Sequence, residues 1–179
     1  MNTLRASATA KSRHSANVDN SARSGLLHAQ LTAPGRLGLS QPGLAGSPND
    51  SDFVALQCAL RASGGLARGQ DLAHSLQDRQ AGDFTSLARW IVTRRIFSFA
   101  WHDSFWVPMF QLDPVDASLR PGAQSVVAEL VGVLDGWSLA LWFVRPNSSL
   151  AERTPLALLD HDLPAVFQAA RMERFVVTG

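Results

Sequence analysis

Residues 137–174, WSLALWFVRPNSSLAERTPLALLDHDLPAVFQAARMER, alternate helix signals with stops, and their reading decides the fold. Trp137, Leu141 and Trp142 recur at spacings of four and five, roughly one side of a helix. Pro146 cannot extend that helix, because it has no N–H and disfavours the helical conformation at Arg145. Asn147, Ser148 and Ser149 supply turn chemistry. Thr154-Pro155 reads as an N-cap followed by proline at the first helical position, and Leu156, Leu158 and Leu159 give the short helix its apolar face. Asp162 caps a last helix whose Val166, Phe167, Ala169, Ala170 and Phe175 are expected to pack against what precedes them.

Working back from there, Pro121 suits the first turn of a helix with Val126, Val127, Leu130, Val131 and Leu134 as its stripe, and Asp135-Gly136 offsets it from the Trp137 helix. Phe97, Phe99 and Trp101 alternate, His102-Asp103-Ser104 is polar, and Phe105, Val107 and Met109 alternate again, which predicts an aromatic-rich β-hairpin. Trp106, Pro108 and Phe110 lie on the other face of the second strand, so both faces are expected to be covered. Pro108 places that strand at an edge or marks a bulge. Asp83 caps a helix reaching Arg95 with Phe84, Leu87, Ala88 and Ile91 inward, and Arg94 and Arg95 complement its C-terminal dipole. A shorter helix covers Gln70 to Asp78. Order begins near Asp52 with a helix carrying Phe53, Leu56, Ala59 and Leu60, which Gly64-Gly65 ends.

Residues 1–51 hold Ser, Ala, Gly, Pro and Asn with scattered Leu, including one weak helical turn at Leu26 to Leu31. No aromatic residue precedes Phe53, and all five Trp lie between Trp90 and Trp142. The expected class is mostly α: a small helical bundle with one β-hairpin and a disordered N-terminal tail. Three parts are expected: the tail (1–51), a helical region like a degenerate helix-turn-helix that ends in the hairpin (52–112), and a C-terminal helical region (113–179).

The chain has 179 residues, is 46% hydrophobic and carries a net charge of +1. Residues 1–52 hold +2 of this and residues 53–179 hold −1, so no strong basic field advertises nucleic acid. Cys58 is the single cysteine, which excludes an intrachain disulfide and fits a reducing, cytoplasmic setting; it is expected to be a small buried hydrophobe. No apolar run approaches the ~18–20 residues of a membrane span. The Arg-bearing N-terminus superficially resembles a transit peptide, but a disordered cytosolic tail is the plainer reading.

Chemistry is sparse. His102-Asp103 and His161-Asp162 are sequence neighbours, which seldom aim at one another, and no spacing forms a zinc set or a phosphate-cradling loop. The residues therefore describe a non-enzymatic protein with no cofactor and no metal. Glu129 is the mid-domain carboxylate expected to be partly buried, in a capping or ion-pair role.

From Phe105 onward the chain resembles the Xre/MbcA/ParS toxin-binding family of bacterial antitoxins. The matching pieces are Trp106-Val107-Pro108-Met109-Phe110-Gln111, Glu129-Leu130, Asp135-Gly136-Trp137, Ala140-Leu141-Trp142-Phe143, Pro146-Asn147, Leu150, Thr154-Pro155, Leu158-Leu159, Val166 and Ala169-Ala170-Arg171. The resemblance implies a helical module that binds and silences a toxin, commonly of the NAD-consuming RES-domain class, in a homodimer or hetero-oligomer. By position it implies a partner-binding region shaped by Trp142, Pro146, Asn147, Leu150, Pro155 and Leu159. Arg171, Arg174, Phe175, Val176 and Val177 would lie nearest the toxin, where arginine suits an anionic cleft.

Two departures stand out. Typical members read small-Gly before the Thr-Pro step, where this chain has Ala151-Glu152-Arg153. Many members also carry an upstream helix-turn-helix that represses their own operon, and here Gln77 stands where its turn usually wants glycine. The alternative reading is a regulator that binds promoter DNA through residues 70–112, a helix-turn-helix plus wing, with Arg89, Arg94 and Arg95 as contacts. An orphan scaffold is the remaining alternative.

Overall fold

The computed structural model describes residues 47–179, so the expectations for the tail and for Leu26 to Leu31 lie outside the described residues. Asn49 opens the first helix, α1 (Asp50–Leu60), through a reciprocal capping box with Asp52. That places the start two residues before the expected Asp52, because Asn49 is a better cap than turn residue here. A short 3-10 turn and Gly64, at φ 98°, end it. Then follow β1 (Leu66–Arg68), α2 (Gly69–Asp78), α3 (Phe84–Val92), β2 (Phe99–Trp101), β3 (Ser104–Pro108), α4 (Pro121–Leu130), α5 (Gly136–Val144), α6 (Pro155–Leu158) and α7 (Leu163–Thr178). The fold is mostly α with one small antiparallel sheet.

The hairpin β2–β3 forms as expected, with β1 added as a third strand on the far side of β3. Three residues are too few to show a period of two, so β1 is invisible as a pattern. Its pairing makes β3 the central strand, which corrects the expectation from Pro108 of an edge or a bulge. The proline sits at the last position of β3, opposite Leu66, and the next ladder donor is the Met109 N–H, 2.9 Å from the Gly65 carbonyl. The missing N–H therefore leaves no gap inside the ladder.

β2 begins at Phe99 rather than Phe97. Phe97 turns inward between Phe110 and Phe143, and its backbone is bound by the Gln111 side chain instead of a strand. α3 stops at Val92, short of Arg95. The Thr93 hydroxyl donates to the Arg89 carbonyl at 2.7 Å, and Arg94 adopts a left-handed φ of 58°, so neither Arg94 nor Arg95 lies in the last helical turn.

The sheet separates two apolar clusters. Leu66, Phe99, Trp101 and Trp106 face a core made with α1, α4, α5, α6 and α7. Ala67, Phe105 and Val107 face a smaller core that holds Leu72, Ala73 and Leu76 of α2 and Leu87 of α3. Both faces are covered, as the alternating aromatic pattern predicts. Trp101 stacks between Phe53 of α1 (5.2 Å) and Trp137 of α5 (5.5 Å), so one side chain ties the hairpin to two helices. Gly69 lets the Phe105 ring lie directly on the start of α2, where an added Cβ would come within 1.8 Å of it.

The expected caps Asp83, Thr154 and Asp162 each accept from a first-turn N–H, and Pro121 and Pro155 open their helices; Asp135, expected only to offset α5, caps it in the same way. The Asp83 carboxyl is held below its ordinary value by hydrogen bonds from the Ser86 backbone and hydroxyl.

The Ala151-Glu152 departure has a backbone explanation. Both residues are left-handed, at φ 53° and 60°, in a tight turn closed by the Arg153 N–H to the Leu150 carbonyl at 3.2 Å. The chain keeps a conformation suited to glycine without using one. Both side chains are exposed, so Glu152→Gly is expected to stabilise the fold by about 1 kcal/mol. A raised urea midpoint at unchanged m-value would show it; an unchanged or lowered midpoint would contradict it.

Candidate partner-binding site

α7 is built from a narrow inward stripe. Val166, Ala169 and Ala170 are buried, and the small alanines let α7 lie close to α4. The two helices run in the same direction: Leu163 meets Gly122 at one end, and Arg174 meets Glu129 at the other. Glu129 lies in the last turn of α4, so the remainder of α7 continues where α4 provides no further turn. Phe175 is 72% exposed, Val176 75% and Val177 48%, and Met172 beside them is exposed too. The expectation that Phe175 packs inward is corrected by this: nine residues of helix place it half a rotation from Val166, opposite the buried stripe, while Val177 lies on the stripe side but beyond the end of α4.

Beside this end a groove of ≈ 360 Å³ is lined by Glu129, Phe167, Arg171, Arg174, Phe175 and Thr178. The Arg174 guanidinium donates to the Glu129 carboxylate at 3.1 Å, the ion pair expected for that carboxylate. Arg171 is exposed and, among the described residues, takes part in no hydrogen bond or ion pair.

The remaining partner-surface candidates divide by burial. Trp142, Leu150, Pro155 and Leu159 are buried, so they shape the candidate region from within and not by direct contact; Trp142, Leu150 and Leu159 belong to the core on which α7 rests. Asn147 is half-buried, and its side chain accepts from the Ser149 N–H to start the Ser148–Leu150 turn, which packs against α7. Pro146 is exposed beside it. These residues build a platform; the exposed end of α7 presents the chemistry. Met172 and Phe167 were not singled out among the partner-binding residues on sequence, because their periodicity also fits a helix flank.

Arg89, Arg94 and Arg95 are all exposed, and none forms an ion pair among the described residues. Arg89 lies on α3, while the Arg94 guanidinium reaches back toward Gly132. On α3, Phe84 meets the Phe105 ring edge-on yet is 55% exposed, which corrects the expectation that it lies inward, and Val92 is 80% exposed. Across residues 66–108 five arginines meet four aspartates, so the local charge is close to neutral.

Among the described residues no group of His, Cys, Asp or Glu could hold a metal ion. His102 at the hairpin tip bonds Asp50 at 3.1 Å, and Asp162 is engaged as a cap. Cys58 is exposed on α1, correcting the expectation of burial: it falls outside the inward stripe of Leu56 and Leu60. No helix among the described residues is long and apolar enough to cross a membrane. Compared with protein-family models, with curated proteins and with solved structures, the chain matches none.

Proposed function

We propose that this chain acts by binding, as an antitoxin-type protein whose α7 sterically neutralises a cognate toxin of the NAD-consuming RES-domain class. The observation that carries the reading is the uncovered apolar end of α7, where Phe175, Val176 and Val177 project from the body. Burying one such side chain is favourable by about 1.5–3 kcal/mol, so a partner that covers all three gains a substantial anchor. Arg171 beside it suits an anionic cleft, since Arg174 is already paired with Glu129. The toxin class rests on the sequence resemblance; the geometry supports a docking surface.

Co-expression with a RES-domain toxin, taken from a neighbouring reading frame if one encodes it, tests the reading. The full chain is expected to restore growth, and a chain lacking residues 175–179 to lose at least most of that protection. Those residues bury little in their own fold, so the shortened chain should still be folded by circular dichroism. Full rescue by the shortened chain would overturn the mechanism.

A second reading, binding to promoter DNA, is favoured by one observation. The order α1-β1-α2-α3-β2-β3, with β3 central, sets two helices joined by a short turn directly before a hairpin, the layout of a helix-turn-helix with a wing. Arg89→Ala is then expected to flatten the salt slope of promoter binding by ~1 unit. An unchanged slope would remove Arg89 from the interface. The exposed Phe84 and Val92 on the same helix fit a protein contact better than a phosphate backbone.

A further inference from the structure

We infer that the groove between α4 and α7 is a binding site for a carboxylate carried beside an apolar side chain, as on an acidic, leucine- or phenylalanine-bearing protein segment. Phe167, Arg171 and Phe175 are spaced four apart and so share one face of α7, with the arginine between two phenyl rings. Phe167 is half-buried against the core, whereas Phe175 stands largely free.

The charges lining the groove are Glu129, Arg171 and Arg174. Arg174 neutralises Glu129 at 3.1 Å, which leaves Arg171 as the uncompensated group. A guanidinium takes a carboxylate through two parallel N–H bonds, and flanking rings strengthen that bond by excluding water. Bare anions gain nothing from the rings, and neutral apolar groups gain nothing from Arg171. The occupant that uses the whole site is both acidic and apolar. The identity of the protein supplying it rests on the proposed function; the site itself can be tested without that protein.

The probe is phenylacetate, titrated into the full chain and followed by ¹H–¹⁵N spectra of the Arg171 side chain and the amides of residues 167–178. Saturable shifts are expected, with a dissociation constant on the order of millimolar. Phenylacetamide and inorganic phosphate should each bind at least roughly tenfold more weakly, and Arg171→Gln should abolish the response while the remaining spectrum stays unchanged. Equal binding of phenylacetamide or phosphate, or binding retained in Arg171→Gln, would overturn the proposal. So would self-association of the free chain that Arg171→Gln removes, because the carboxylate would then come from a second copy. A groove that passes this test in a chain unable to neutralise the toxin sinks the antitoxin reading and leaves the site standing.

Discussion

Gly136→Ala is expected to destabilise the folded chain by about 3 kcal/mol, more than any surface change in this protein. A Cβ at Gly136 would lie 2.1 Å from the Ser98 carbonyl oxygen and 3.1 Å from the Phe99 Cβ. The obstructing atom is backbone at the entry to β2, so no side-chain rotation relieves the contact. Gly136 does not use a left-handed conformation, and the cost therefore comes from contact rather than from strain in φ. Relief requires α5 to move away from β2, which also loosens the edge-to-face packing of Trp137 on Phe99 at 5.3 Å. Urea unfolding measures the effect directly. A shift below 1 kcal/mol would mean that α5 and β2 are less tightly apposed than described.

The second large effect is expected for Gln111→Leu, at about 2–4 kcal/mol. Gln111 is 2% exposed and the only polar residue among the buried ones described. Its side-chain oxygen accepts from the Phe97 N–H at 2.8 Å, and its nitrogen donates to the Phe97 and Pro108 carbonyls, each at 3.0 Å. Leucine fills similar space, so the loss isolates hydrogen bonding from packing. Three backbone groups lose these partners at the junction of the hairpin and the larger core. Amide exchange at Phe97 should accelerate strongly in the variant, and protection equal to the parent chain would contradict the assigned role.

Features set by neighbouring residues were readable from the sequence. Asp83, Thr154 and Asp162 cap helices because the chemistry of a cap needs only the next three residues. The hairpin was readable for a similar reason, since alternation at Phe105 and Val107 records a sheet covered on both faces. What escaped depends on distant parts of the chain. β1 is defined by its partner β3, about forty residues away, and not by a pattern in its own three residues. Phe97 continues the alternation by residue type, yet Gln111, fourteen positions on, withdraws it from the strand. Arg94 leaves α3 because of a left-handed turn with no glycine to announce it.

The candidate site follows the same division. The arginines and apolar residues at the end of α7 were legible as residue types. The exposure of Val177, which lies on the buried side of α7, was not, because it is decided by where α4 stops. Phe175 stands half a rotation of helix from Val166, so the period of α7 already separates the buried residue from the free one. Trp142 and Leu159 show the converse: their positions in the motif pointed to the partner surface, while their size and apolarity sent them to the core.

Hydrogen exchange on residues 171–178, in the free chain and with a RES-domain toxin added, puts the central claim to its most direct trial. Fast exchange in the free chain and strong protection in the complex is the expected result, since the partner would cover a helical turn that this fold leaves bare. A stable complex whose last turn exchanges as fast as in the free chain would show that another surface holds the toxin.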